Sequence, residues 1–233
     1  MKVVAAWSGG KDSCFAYYKA LKAGFEVISL VTFMQSENVS SFHGIGSDLL
    51  DAQAKAIGIP MAKVVTTPEN YEAQFKSTLL KFKSKGVGGL VTGDIFEVAQ
   101  HEEHWLERVC REIGYTPIRP LWQGNTKKIF EEFIEAGFKA TVVRTKLSHL
   151  GKEWLGRQLD KEFLDEILKV DNVDPCGEGG EYHTVVTDGP IFKNRIKLTN
   201  TEKSSSANFG RLEILKFEIT PKKERMSKNV ERT

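Results

Sequence analysis

Six consecutive residues near the start of the chain, Ser8-Gly9-Gly10-Lys11-Asp12-Ser13, combine two adjacent glycines, two hydroxyls, an ammonium and a carboxylate. They follow a strand-like run, Val3 to Trp7, and precede a helical pattern, which is where a phosphate cradle belongs. Adjacent glycines let the backbone turn tightly and bring its N–H groups close to oxyanions, while the helix N-terminus that follows adds the positive end of its dipole. Ser8 and Ser13 supply hydroxyl donors and Lys11 supplies positive charge. A carboxylate beside phosphates makes sense chiefly when Mg²⁺ lies between them, so Asp12 is the candidate metal ligand. The pattern is neither G-x-x-x-x-G-K-[ST] nor G-x-G-x-x-G. The competing reading is a plain turn with Ser8 or Asp12 capping the helix; six matching residues directly after the first strand favour the cradle.

Further segments hold residue types suited to chemistry. Thr92-Gly93-Asp94-Ile95 ends the fourth predicted strand, on the same sheet edge as the loop, where Asp94 would face a nucleotide or merely cap the next helix. Asp174-Pro175-Cys176-Gly177-Glu178-Gly179-Gly180-Glu181-Tyr182-His183-Thr184 packs acids, glycines, an imidazole and hydroxyls together, as a site or as a Gly-rich hairpin with solvated acids. Phe42-His43-Gly44 and Trp154-Leu155-Gly156-Arg157 are the remaining candidates; a lone histidine such as His43 is more often structural than catalytic. Cys14, Cys110 and Cys176 are odd in number and widely spaced, which argues against a disulfide framework or zinc knuckle and fits a reducing compartment.

Short apolar runs alternating with helical patterns must position these groups. Strands are expected at Lys2 to Trp7, Glu26 to Phe33, Met61 to Thr66, Gly88 to Thr92 and Thr116 to Pro120. Helices are expected at Ser13 to Lys22, Ser47 to Ile57, Asn70 to Lys85 and Glu97 to Ile113. That alternation predicts an α/β domain with a parallel five-stranded sheet flanked by helices, over residues 1–120. A smaller α+β domain is expected over 121–220, with helices at Thr126 to Ala136 and Asp160 to Val170. Its strands fall at Ala140 to Arg144, Ile191 to Leu198 and Arg211 to Ile219, Thr201 to Asn208 reads as a Ser-rich surface loop, and 221–233 is a polar tail. With 33 basic and 31 acidic residues and a net charge of +2, no nucleic-acid surface is expected. The absence of a signal-peptide-like or membrane-spanning run points to a cytoplasmic protein; a homodimer is the default only by base rate.

The loop resembles the PP-loop, S-G-G-x-D-S, of the N-type ATP pyrophosphatases, which cleave ATP between the α and β phosphates. That resemblance implies a HUP-type (adenine nucleotide alpha hydrolase-like) sheet that uses ATP and Mg²⁺. Ser8, Gly9, Gly10, Lys11, Asp12, Ser13, Gly93 and Asp94 would then surround the nucleotide, Thr32 and Phe33 would offer backbone to the adenine, and Asp12 and Asp94 would act in catalysis. Cys176-Gly177-Glu178-Gly179-Gly180-Glu181-Tyr182-His183-Thr184, taken with the loop and with the segments around His43 and Trp154, resembles the diphthine–ammonia ligase family. This likeness runs to about Glu218. It implies amidation of diphthine on translation elongation factor 2 by ammonium, through an acyl-adenylate, giving AMP and pyrophosphate. Glu178 or Glu181 would orient ammonia or attract the substrate's trimethylammonium group, Tyr182 or Trp154 would hold that group by cation–π attraction, and His43, Arg157, His183 and Thr184 complete the substrate candidates. The rivals are a tRNA-thiolating PP-loop enzyme and an ATP- or AMP-binding module without turnover.

Overall fold

A computed structural model describes residues 1–36, 39–40, 45–96 and 104–222. The elements run β1 (Lys2–Ala6), α1 (Lys11–Lys22), β2 (Glu26–Ser36), β3 (Val39–Ser40), α2 (Ser47–Ile57), β4 (Met61–Val65), α3 (Tyr71–Lys83), β5 (Val87–Val91), α4 (Trp105–Ile113), β6 (Thr116–Ile118), α5 (Thr126–Glu135), β7 (Lys139–Lys146), a single 3-10 turn (Lys152–Trp154), α6 (Lys161–Ile167), β8 (Tyr182–Asp188), β9 (Asn194–Ser205) and β10 (Phe209–Pro221). Five parallel strands lie in the order β4-β2-β1-β5-β6, with β3 antiparallel against the outer end of β2. The chain winds outward from β1 in both directions, so the carboxyl ends of β1 and β5 flank a topological switch point, where open α/β sheets bind ligands.

Both faces of this sheet are covered, which explains its nearly continuous apolar strands. Val4, Val31, Phe33 and Leu90 pack against Phe75 and Leu79 of α3 and Leu106 and Val109 of α4. Val3, Ala5 and Leu30 pack against α1 and α2 in a core that continues into the second sheet through Ala140, Val142 and Val186. Phe15 of α1 meets Phe133 of α5 and Phe138 edge-on at 5.9 and 6.1 Å, and those two rings stack at 4.8 Å. Aromatic packing of this kind adds to area burial. The second sheet is antiparallel, in the order β8-β7-β10-β9. Among the described residues no helix is long and apolar enough to cross a membrane.

Several expectations change. Tyr182–Asp188 is a strand, β8, where the sequence suggests the tail of a Gly-rich segment. Residues 201–205, expected in a surface loop, continue β9 and pair with β10 in register from Gly210↔Ser205 to Ile214↔Thr201, leaving only a short turn. Exposed Ser and Thr read as loop by composition, whereas cross-strand pairing decides the backbone. β2 extends three residues past Phe33 because β4 pairs with it as far as Met34 and β3 pairs beyond. Helix α4 begins at Trp105; the earlier part of the expected helix, 97–103, lies outside the described residues, as do 223–233 of the expected tail.

Candidate active site

β1 ends at Ala6, and Trp7 N–H still reaches Val31 O at 2.8 Å. Gly9 then turns with φ +80, a region open to glycine at little cost, and any Cβ there would meet Gln53 Oε1 at 2.6 Å and Leu50 at 2.9 Å. Helix α1 starts at Lys11 with no side-chain cap from its own N-cap, Gly10. The cap comes from β8 instead: Lys11 N–H donates to Thr184 Oγ1 at 3.1 Å. Ser8 and Ser13 lie with their hydroxyls 3.1 Å apart. Ser13 Oγ donates to Gly10 O at 3.1 Å, and Gly10 N–H donates to Ser8 Oγ at 3.3 Å.

Gln53, fully buried on α2, locks this loop. Its Oε1 accepts Trp7 Nε1–H at 2.9 Å, while its Nε2 donates to Gly9 O at 2.9 Å and Val186 O at 2.7 Å. Val186 N–H donates to Gly9 O as well, at 3.0 Å. One amide therefore ties the first sheet, α2 and the edge strand of the second sheet to the loop. Gln53 is not among the residues whose type and spacing mark them for chemistry; its signal in the sequence is a polar side chain on the apolar stripe of α2 formed by Leu49, Leu50, Ala56 and Ile57. The other wall is the β5 loop. A Cβ on Gly93 would lie 2.6 Å from Asp12 C and 2.7 Å from Ser13 N, so these two backbones touch. Thr92 Oγ1 donates to Asp94 Oδ2 at 2.8 Å, fixing that carboxylate beside the loop.

The charges are unevenly matched. Lys11 is buried, with Nζ 2.7 Å from Asp12 Oδ2 and 5.6 Å from the centre of the Tyr182 ring. Burial works against the ammonium, but Asp12, and behind it other groups of the 176–182 segment, outweigh burial and hold Lys11 charged. Burial raises Asp12 above the usual carboxylate range, with Lys11 opposing. Asp12 Oδ1 is buried and has no hydrogen-bond partner. Glu178 is exposed as a residue, yet its carboxyl feels Asp12, Lys11, Asp174 and Asp94; desolvation first, then Asp12, pushes it up to about 7.

The glycine-rich segment is built around Asp174 and Glu181. Asp174 Oδ1 accepts the N–H groups of Cys176 at 2.7 Å and Glu178 at 3.4 Å, and Glu181 Oε1 accepts Asp174 N–H at 3.1 Å. Glu181 is buried, and its Oε2 has no partner. Tyr182 is buried between Lys11 and Phe163 and donates its hydroxyl to Pro175 O. Burial, then Arg144 and Lys11, draws His183 down to about 4, so it is neutral at physiological pH.

The structure brings Ser8, Gly9, Gly10, Lys11, Asp12, Ser13, Gly93, Asp94, Glu178, Tyr182 and Thr184 to one place. Thr184 serves the loop's backbone, and the Tyr182 ring that could hold a substrate cation faces the chain's own Lys11. Trp154 and Arg157 are engaged with each other, the guanidinium 4.6 Å over the indole, and Arg157 also pairs with Glu166. The Phe33 side chain lies in the core, stacked on Phe75 at 5.1 Å. Beyond Ala6↔Val31, however, β1 no longer pairs with β2, which leaves the β1-facing edge of β2 at Thr32 and Phe33 without a strand among the described residues. His43 lies outside the described residues. The Cys176 thiol, pushed up by burial, donates to Thr126 O at 3.2 Å.

Comparison with known proteins agrees with this geometry. Residues 1–117 match the family model for the diphthamide synthase N-terminal domain, and residues 125–219 match that for the diphthamide synthase C-terminal domain. The diphthine–ammonia ligases of Bos taurus and Homo sapiens are each 30% identical over 227 residues, covering 87% of this chain and 84% of theirs. The diphthine–ammonia ligase of Schizosaccharomyces pombe is 29% identical over 225 residues, covering 87% of this chain and 37% of that protein.

Proposed function

The chain belongs to the diphthamide synthase family, and from that premise we propose that it is a carbon–nitrogen ligase that uses ATP to amidate the carboxylate of diphthine with ammonium. In this reading the acceptor is translation elongation factor 2 and the compartment is the cytoplasm. The observation that supports it most is the orphaned Asp12 Oδ1 beside the facing Ser8 and Ser13 hydroxyls at the switch point. A buried acceptor without a partner costs about 1–3 kcal/mol and more when charged, an arrangement that makes sense where a ligand completes it. Mg²⁺ fits, because it is commonly held by one or two carboxylates together with substrate phosphates. Asp12 would hold it, with Asp94 close by. Bound there, the ion would offset phosphate charge.

The backbone of Gly9 and Gly10, the start of α1 and the two serine hydroxyls suit the pyrophosphate end of ATP. Lys11, pinned between Asp12 and Tyr182, keeps the cradle electrically balanced. The β1-facing edge of β2 at Thr32 and Phe33, which carries no strand among the described residues, suits the adenine. Attack of the diphthine carboxylate on the α-phosphate releases pyrophosphate and gives an acyl-adenylate, from which ammonia displaces AMP to form the amide. The rim formed by Asp94, Asp174 and Glu178 would draw in ammonium and the trimethylammonium group. Glu178, poised near neutral pH, is suited to take the proton that ammonium must lose before it attacks. Glu181 acts through Asp174, whose N–H it holds.

Thiolation is disfavoured by the thiols: Cys14, Cys110 and Cys176 are all buried, and burial raises each of them, the opposite of an activated sulfur nucleophile. The test is pyrophosphate release with ATP, Mg²⁺, ammonium and diphthine-bearing elongation factor 2, beside a Ser8→Ala, Asp12→Ala variant. Release that requires the acceptor and is lost in the variant, with the acceptor's acid converted to an amide by mass, is the expected result. ATP binding without release would leave only the binding module; thiouridine lost from tRNA on gene deletion would favour the sulfur chemistry.

A further inference from the structure

A cavity of about 190 Å³ lies where the first turn of α2 meets the second sheet, with Ile45, Leu49, Leu212 and Ile214 among its apolar lining and Arg144 and Arg211 supplying cations. Arg144 on β7 and Arg211 on β10 are register partners, so two like charges stand directly opposite each other, an arrangement that costs stability. Burial first, and Arg211 next, draws Arg144 below its usual range. Among the described residues neither arginine forms an ion pair with a carboxylate. The Arg144 guanidinium lies 3.9 Å over the centre of the Phe209 ring, and its Nε is buried with no hydrogen-bond partner. A β-bulge between Val142 and Arg144 sets it in this position, as bulges beside sites commonly re-aim a side chain.

Two acids also line the cavity, and each is engaged locally. Asp48 Oδ1 accepts Leu49 N–H at 2.8 Å, and Glu213 Oε1 lies in a hydrogen bond with Ser204 Oγ at 2.9 Å. Asp48 meets one backbone N–H at the start of α2 and both acids keep their charge, yet among the described residues neither stands in an ion pair with Arg144 or Arg211. A guanidinium covered on one face and unpaired along its edge presents its planar fork to an oxyanion.

We propose that Arg144 and Arg211 form an oxyanion subsite, distinct from the nucleotide loop, that takes a phosphate or carboxylate group against the apolar wall of the cavity. A bound anion would relieve the repulsion between the two guanidinium groups while satisfying Arg144 Nε. The site does not rest on the ATP-dependent reading.

Isothermal titration of the full chain with inorganic phosphate, at ionic strength held constant with chloride, tests it. Arg211 is exposed, so Arg211→Gln keeps the fold. Phosphate also suits the loop at Ser8, so Gly93→Ala, which displaces the loop's wall, is titrated alongside. The expected result is an anion site that survives Gly93→Ala and weakens roughly ten- to a hundredfold in Arg211→Gln, the loss of one charge-assisted contact. Failure of the nucleotide reading would abolish only the class of sites sensitive to Gly93→Ala. If the acceptor protein's acidic side chains are the natural source, phosphate inhibits competitively against the acceptor, and Arg211→Gln raises its KM with kcat unchanged. If free phosphate is the source, the acceptor's KM does not move while the titration loss remains. Phosphate binding by Arg211→Gln equal to the wild type overturns the proposal.

Discussion

Replacing Gln53 by Leu keeps most of its bulk while deleting a buried amide. Three partners lose their contact: Trp7 Nε1–H, Gly9 O and Val186 O. Gly9 O keeps Val186 N–H, so two buried groups are orphaned outright. At about 1–3 kcal/mol for each, a loss of about 3 kcal/mol is expected, partly offset by the added apolar side chain. For a chain of this size roughly 2–4 °C accompanies each kcal/mol, so thermal denaturation followed by circular dichroism would show Tm falling by roughly 6–12 °C. Because the same amide fixes Gly9, ATP affinity measured by titration below the new Tm would fall too. Gln53→Glu should be worse near neutral pH, since its carboxylate would face two carbonyls, and it should recover in acid as the protonated side chain regains a donor. A Tm within about 2 °C of wild type and unchanged ATP affinity in Gln53→Leu would refute the idea that this side chain holds the loop.

Gly93→Ala places a methyl 2.6 Å from Asp12 C, and overpacking of this kind costs about 1–3 kcal/mol; pyrophosphate release should fall by about 10²-fold, as for a displacement near 1 Å. Gly88→Ala, on the β5 strand that leads into the Gly93 loop, meets only Met1 at 3.7 Å and should leave turnover intact. Thr184→Val leaves Lys11 N–H without its cap and should cost about 1 kcal/mol, read as a Tm decrease with weaker ATP binding. Glu178, raised from 4.5 to about 7, binds its proton more tightly folded than unfolded, so its contribution to wild-type stability declines as pH rises from 4.5 through 7. Glu178→Gln should match wild type below pH 4.5 and be more stable at pH 8 by under about 1 kcal/mol because solvent screens an exposed group, read as a Tm higher by less than about 4 °C; a gap of the opposite sign would contradict the placement of this carboxyl among Asp12, Asp174 and Asp94.

The sequence by itself determined the parallel sheet and the place of its loop. Its apolar runs are those of strands buried on both faces, and Ser8 to Ser13 announces a cradle because local chemistry there needs no distant partner. The acids of the 174–181 segment were legible for the same reason. Only the tertiary structure decided what those groups face. β8 is buried along most of its length, so it lacks the two-residue alternation that marks a half-exposed strand. Once β8 lies against the loop, Thr184 becomes a helix cap and Tyr182 a floor for Lys11. Trp154 and Arg157, suggestive as residue types, are taken up by each other and by Glu166. Gln53 and the Arg144–Arg211 pair draw their meaning from neighbours 44 to 133 residues away and from a cross-strand register. Such long-range pairings are set by how apolar faces pack together, and local composition holds no record of them.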